Sequence, residues 1–440
     1  KARDFLRQAE AEAARHRQAL AALAEGAGFR PRPKKTGGRR GAAGLNPDSG
    51  VDCVDCLRLL AEREGVLVGQ KLAVSGEELD LDSRDETLFR LVARLSEGSV
   101  LREFAAALRA YRGAKKRADF LRQWLGFLHP ADDRLHPDLR QINPQGVGRF
   151  SARNPNLQQA PRGSDIRSLF RAPAGRKLVV ADFSAIEMRI MARLSGDRNL
   201  LVAFREGADV HRRTAAAIAG KAEEEVTAEE RQAAKACGFG LIYGMTAETL
   251  RLYAETSYGV KMTPEEAEAA REAFFRAYPA VAAWHRRQDR RPYEDGFEKF
   301  WRHDAARGFY AEKRPCVRTL CGRLRVWPTV ERERREGNGT YLRKAGSFTE
   351  LYNTPDQGTG ADIIKSAMAQ VYRELLARGW EDVRLIACVH DELVLEAPEA
   401  LAAEAAALLK ECMERAGAEI LTPVPVVVEV GAGNTWADKQ

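Results

Sequence analysis

Residues 383–398, VRLIACVHDELVLEAP, constrain the chain more than any other stretch. Two apolar, β-branched runs flank His390 and Asp391. So short a connection joins its strands only as an antiparallel hairpin, because a parallel pair needs a crossover of a dozen or more residues. The polar residues therefore read as a tight turn and not as the charged middle of a strand. A carboxylate on a rigid hairpin is well placed to hold a metal ion. Acidic turns are also common, and a solvated turn is the plain alternative.

A second strand signal ends in the same way. GRKLVVADFSAIEMRIMARLSG switches from a strand at about 177–183 to a helix, with Asp182 closing the apolar run. Two strand-end aspartates converge on one site if their strands are neighbours. A pair of divalent ions roughly 3.5–4 Å apart between such carboxylates is the apparatus of nucleotidyl transfer. Mg2+ suits it, taking few protein ligands and completing its shell with phosphate and water. The main-chain carbonyl of Phe183 is a plausible further ligand. SAIE at 184–187 also has the pattern of a capping box, with Ser184 capping the helix and Glu187 bonding back to it.

A third constellation lies in EERQAAKACGFGLIYGM, where Arg231, Lys235, Phe239 and Tyr243 recur every four residues. On a helix they share one gently drifting face. The two cations suit a triphosphate, and the two rings suit a sugar and a base. An amphipathic surface helix is the alternative. Gly238, Gly240 and Gly244 each cost up to about 1 kcal/mol against Ala in a helix. They make sense where something approaches the backbone closely.

Around these motifs, 440 residues with 45% hydrophobic composition allow two or three packed units. No apolar run approaches the ~20 residues that span a bilayer. A net charge of +7 favours a polyanionic partner, but 63 acidic residues make the basic surface local. Seven cysteines make no disulfide framework. Cys53 and Cys56, in one CxxC, read as thiols near a helix start, and a reducing cytoplasm fits. GFRPRPKKTGGRRGAAG reads as a basic loop, either solvated or touching phosphates. Periodicity predicts a helix over 1–25, several helices with polar loops over 51–128, mostly loop and short strand over 130–165 and helices over 186–290. The end predicts a helix at 361–378, a strand pair at 383–396, a helix at 399–416 and a strand at 425–430. The lack of strict βαβ alternation argues against a doubly wound sheet and for an α+β fold. His16, His129, His285 and His303 read as surface or packing residues.

ADFSAIEMR, RQAAKACGFGLIYG and CVHDELVLEAP, in that order, resemble motifs A, B and C of family A DNA polymerases, the bacterial DNA polymerase I group. GRFSARNPNLQQAP, GADVH, NTPDQGTGAD, GLNPDS and YRGAKK resemble further segments of that family, so the match spans nearly the whole chain. The resemblance implies a right-hand polymerase with an antiparallel palm sheet, helical fingers and a helical thumb. It divides the chain into thumb 1–128, palm 129–187, fingers 188–345 and a second palm part 346–440. It implies template-directed extension of a primer 3′-OH with dNTPs, using two Mg2+ ions with Mn2+ as a substitute. A monomer bound to primer-template DNA and dNTPs, away from membranes, is expected. The length before GLNPDS predicts no proofreading exonuclease in this chain.

Carried over position by position, Asp182, Asp391 and Phe183 bind metal and Glu392 supports them. Arg231, Lys235 and His211 grip the triphosphate, and Lys235 protonates pyrophosphate. Phe239 and Tyr243 stack at the nucleotide, and Glu187, paired with Tyr243, blocks a ribose 2′-OH. Arg149, Gln158, Gln159, Asn353, Gln357 and His390 contact primer and template. The chain departs from the pattern at Ala185, Gln232, Gly238, Thr349 and Asp356, the last standing where an apolar residue is usual. These departures suggest a divergent, phage- or plasmid-like branch. DRRPYEDGFEKFWRHDAARGFYAEKRP exceeds the family's need and reads as an insertion in the fingers. A single-subunit RNA polymerase and a catalytically dead DNA-binding protein are the rival readings.

Overall fold

The computed structural model describes residues 1–31, 44–142, 147–161, 164–294, 297–305, 308–327 and 348–438. Most of the basic loop at 28–44 lies outside them. The chain forms two compact units, Lys1–His136 and Pro137–Gln440.

The first unit runs α1 (Ala2–Gly26), α2 (Gly50–Arg63), β1 (Leu67–Val68), β2 (Lys71–Val74), β3 (Glu77–Asp80), α3 (Asp85–Arg94) and α4 (Val100–Gly126). Helices α1 and α4 pack along each other. Ion pairs from Arg117 to Glu12 at 2.6 Å and from Arg122 to Glu10 at 2.7 Å line their seam. Ser49 caps α2, accepting from the Asp52 amide at 3.2 Å. The GLNPDS and YRGAKK segments meet where the Tyr111 hydroxyl donates to Asp48 at 2.9 Å. Cys53 and Cys56 are fully buried in this unit's core, and burial pushes the Cys56 thiol up to about 12. They are packing thiols of α2, as expected. The expectation of helices and polar loops over 51–128 is corrected by the antiparallel sheet β1-β2-β3. Its strands are short and punctuated by Gly69, Ser75 and Gly76 at positive φ, so helical periodicity never had room to fail visibly.

The second unit starts with β4 (Asp138–Arg140), β5 (Ser151–Arg153), a single turn α5 (Ser164–Arg167) and β6 (Arg176–Phe183). Seven helices follow: α6 (Ile186–Ser195), α7 (Arg198–Arg205), α8 (Val210–Ala219), α9 (Ala228–Ile242), α10 (Ala247–Tyr258), α11 (Pro264–Ala277) and α12 (Pro279–Glu294). Then come β7 (Phe297–Asp304), β8 (Gly308–Arg318), β9 (Leu324–Val326), α13 (Phe348–Ala377), β10 (Arg384–Val389), β11 (Glu392–Pro398), α14 (Ala402–Leu421) and β12 (Val428–Gly433). The suspected insertion thus extends α12 and forms the antiparallel pair β7–β8.

The central sheet is antiparallel, in the order β10-β11-β6-β12. Val179, Ala181, Leu393 and Leu395 are fully buried, and α14 covers the sheet. That burial explains why β6 and β11 read as near-continuous apolar runs. Gly417 lets α14 approach closely, since a Cβ there would lie 2.7 Å from Val426.

Two local expectations fail. Helix α13 begins at Phe348 and not at 361, running through Pro355. Thr354, Asp356 and Thr359 are fully buried in it, and the Thr359 hydroxyl donates to the Pro355 carbonyl at 2.6 Å. Tertiary packing has overridden the loop propensity of NTPDQGTG. The capping box at 184–187 does not form either. Ala185 is the residue before α6, in the left-handed region at φ 49°, and no side chain caps the helix. Ser184 instead donates its amide to Val427, and Glu187 turns to Arg149.

Candidate active site

Strand register brings the two aspartates together. Asp182 on β6 lies opposite Glu392 on β11, next to Asp391 in the hairpin turn. The Phe183 amide faces the Asp391 carbonyl at 3.4 Å. Val389 pairs with Glu392, leaving His390 and Asp391 as the two-residue connection, with His390 at φ 57°. Gln158 fastens both sides of this turn. Its amide donates to the Cys388 carbonyl at 2.5 Å, and its oxygen accepts from the His390 amide at 3.1 Å.

Burial, and next the negative charge of Asp182, push the Asp391 carboxyl up to about 6. Two carboxylates crowded in this way favour a cation between them. The donor set, all oxygen, fits a hard ion such as Mg2+. Glu392 is engaged elsewhere. It is 4% exposed and accepts from Arg167 at 3.1 Å and from the Trp436 indole.

Helix α9 supplies the facing wall. Thr227 and Glu230 form the reciprocal capping box that opens it. Arg231, Lys235 and Phe239 line a cavity of about 970 Å³, together with Asp182, Phe183, Glu187, Asp391, His211, Arg149 and His390. Tyr243 stands one residue past the end of α9. Gln158, Gln159, Asn353, Gln357, Tyr243 and Glu392 do not line the cavity. Gln159 is exposed, and the Asn353 side-chain oxygen is buried without a hydrogen-bond partner among the described residues.

Gly240 of α9 serves packing, whereas a Cβ at Gly238 would meet Met188 at an ordinary 3.6 Å. A Cβ at Gly240 would lie 2.9 Å from Met245 and 3.2 Å from Leu250 on α10. The close neighbours there are Met245 in the connecting segment and Leu250 of α10.

Three cavity residues were not legible as such. Asp209 accepts from Arg231 at 2.6 Å and caps α8 through the His211 and Arg212 amides. Burial pushes its carboxyl up, but those bonds outweigh burial and hold it below the usual range. An Asp just before an apolar-periodic run is a helix-start signal that would have found the cap, though not the ion pair. Arg189 is 7% exposed, donates to the Ser184 carbonyl at 2.8 Å and lies over the Phe204 ring at 4.4 Å. It braces the corner between β6 and α6, and no pattern marks an arginine for burial. Glu429 on β12 is the third, opposite Asp182 in register.

His211 is buried, and burial pushes its imidazole down to about 4, with Lys235 and Arg231 reinforcing and Asp209 opposing. It is therefore neutral near pH 7 and offers a hydrogen bond, not a charge. Its ring lies 5.7 Å from that of Phe239. Glu187 accepts from Arg149 at 3.0 Å. The Tyr243 hydroxyl donates to Asp356 at 3.3 Å, and burial first, then the charges of Asp356 and Glu187, push it well above its usual range.

Away from the cavity, His285 packs flat on Tyr352 at 4.2 Å and bonds the Ile242 carbonyl at 2.9 Å, while His303 is exposed. His129 and His136 flank Asp132 in an exposed turn, at 3.5 Å and 2.9 Å. No helix among the described residues is long and apolar enough to cross a membrane.

The model of DNA polymerase family A matches residues 83–438. DNA polymerase I of Aquifex aeolicus is 38% identical over 325 residues, covering 74% of this chain and 50% of that protein. The thermostable DNA polymerase I of Thermus aquaticus is 34% identical over 403 residues, covering 86% of this chain and 44% of that protein. DNA polymerase I of Pseudomonas aeruginosa is 36% identical over 377 residues, covering 84% and 37%. The chain thus spans half or less of the length of these relatives. Among solved structures, the POL domain of Pol1 from M. smegmatis, in complex with DNA primer-template and dNTP, superposes with a TM-score of 0.72 at 27% identity. That match covers 99% of this chain and 66% of the other. The ordered motifs, the antiparallel sheet with its two aspartates and the length of these matches converge: the chain belongs to DNA polymerase family A.

Proposed function

We propose that this chain is a DNA-directed DNA polymerase, extending a primer 3′-OH with dNTPs on a template strand. One observation carries the reading: Asp182 and Asp391 share a cavity with Arg231, Lys235, His211 and Phe239. Carboxylates on one wall and cations on the other suit a triphosphate whose α-phosphorus is attacked at the carboxylate side. The first unit would be the thumb, the sheet with α13 and α14 the palm, and the helices after α6 the fingers.

Asp182, Asp391 and the Phe183 carbonyl would hold two Mg2+ ions. When bound, these supply activation of the primer hydroxyl and stabilisation of the pyrophosphate charge. Arg231 and Lys235 bind the triphosphate oxygens, and Lys235 is the group positioned to give a proton to the leaving pyrophosphate. Arg231 reaches the phosphates by leaving Asp209, its partner at 2.6 Å. Neutral His211 donates a hydrogen bond to a phosphate oxygen. Phe239 supports the base, and Glu187 with Tyr243 closes the space beside the sugar 2′ carbon. Gln158 holds the turn that carries Asp391, and it reaches the primer end together with Arg149 and His390. Gln159, Asn353 and Gln357 follow the junction through minor-groove acceptors that every base pair presents, which tests pairing without reading sequence. We also propose that the chain works as a monomer in a reducing cytoplasm and extends without editing. Seven free cysteines support the reducing compartment.

Primer extension by the pure protein with Mg2+, comparing dNTPs with rNTPs, tests this reading. Extension with dNTPs is expected, and a mismatched primer incubated without dNTPs stays at full length. Absence of extension overturns the activity, preference for rNTPs favours an RNA polymerase, and steady 3′ trimming refutes the lack of editing.

A further inference from the structure

Asp356 on α13 is fully buried, at 0% exposure. One carboxyl oxygen accepts from the Tyr243 hydroxyl at 3.3 Å, and the other has no hydrogen-bond partner among the described residues. An ionised carboxylate in such a place is costly unless it is paired. Burial first, then the charge of Glu187, holds its pKa well above the usual range, against smaller opposing effects of the Tyr243 hydrogen bond and Arg149. Burial therefore favours the neutral form of Asp356.

An apolar side chain would fill the same helical position without this penalty, so the acid calls for an explanation in what it touches. Its contact is Tyr243. The other acid near that phenol, Glu187, is drawn to Arg149 at 3.0 Å. These side chains thus form two pairs, Arg149 with Glu187 and Tyr243 with Asp356. Asp356 ties the segment after α9 to α13 and does not line the cavity.

We propose that Asp356 is a positioning residue for sugar selection: by accepting the Tyr243 hydroxyl it fixes the phenol ring and so the width of the space beside Glu187. The inference rests on reading Glu187 and Tyr243 as the group that excludes a 2′-hydroxyl.

The test measures kcat and KM for dNTP and rNTP incorporation, with melting temperatures, in wild type, Asp356→Val, Asp356→Asn, Tyr243→Phe and Glu187→Ala. Asp356→Val is expected to lower the preference for dNTPs about fivefold, the ratio that ~1 kcal/mol provides. The change falls on KM for rNTPs, with kcat for dNTPs nearly unchanged. Its melting temperature holds or rises, because an apolar side chain replaces a desolvated acid. Asp356→Asn, which keeps an acceptor oxygen, restores the wild-type preference. Tyr243→Phe removes the same bond from the other side and reproduces the loss, but it also removes the hydroxyl that faces Glu187, so Asp356→Ala decides the matter if the Val variant does not fold. An unchanged preference in Asp356→Val and Tyr243→Phe, while Glu187→Ala loses it, overturns this inference alone. An unchanged preference in Glu187→Ala overturns the underlying assignment of Glu187 and this inference with it.

Discussion

The sheet that carries Asp182 and Asp391 and the helix α9 that carries Arg231 and Lys235 solve opposite electrostatic problems. On the sheet, register forces two like charges together, and burial pushes Asp391 up to about 6. On α9 the cations are half-exposed, and Arg231 already has a counter-ion in Asp209 at 2.6 Å. The sheet is preorganised for a ligand of opposite charge. On the helix, an anionic ligand would compete with Asp209 for Arg231. Under the proposed function, rigid pairing on the sheet and exchangeable pairing on α9 would suit a site that binds and releases a nucleotide at every step.

The largest test of this contrast is Asp182→Asn or Asp391→Asn. Metal-derived charge stabilisation is worth several kcal/mol, so extension should fall by about 10³-fold or more. DNA affinity should survive, since it comes mostly from phosphate contacts. Single-turnover extension beside a DNA-binding titration reads both, and near-wild-type extension in either variant would remove the metal role from the sheet.

His211 gives an intermediate test on the helical side. Its folded pKa is about 4, below the ordinary value near 6.5. As pH falls through 6.5 the unfolded chain takes up a proton that the folded chain refuses, so stability present above that pH is lost towards pH 4. Between pH 7 and 5 wild type should lose on the order of 1–2 kcal/mol more than His211→Gln. Denaturant melts at the two pH values measure this, and equal losses would mean that the imidazole is hydrated.

The smallest effect sharpens the exchange of partners. Asn at 209 still caps α8 but cannot pair with Arg231. A partly exposed ion pair is worth up to ~1 kcal/mol. Asp209→Asn should therefore lower KM for dNTPs about two- to fivefold with kcat unchanged. A raised KM would show that Asp209 presents Arg231 to the nucleotide and does not compete for it.

The hairpin was legible because two β-branched runs with two residues between them admit one pairing. The cavity face of α9 was legible because Arg231, Lys235 and Phe239 recur every four residues, the spacing of one helical face. The start of α13 was not, since Pro355 and two glycines mask a helix held by buried threonines. The SAIE pattern misled for a related reason: Glu187 met Arg149, 38 positions away, before it could bond back to its own helix start. Local hydrogen bonds compete with distant charges, and sequence spacing shows only the local half.

The sequence by itself determined the strand-end aspartates, the antiparallel turn and the four-residue spacing of the cations and rings, because each follows from periodicity over a few residues. Only the tertiary structure decided that Arg231 rests on Asp209, that Glu187 turns to Arg149 and that Tyr243 meets a buried acid at position 356. Those pairings join residues 22, 38 and 113 positions apart. Their strength depends on how far burial has removed water from each partner, and burial is a property of the packed molecule.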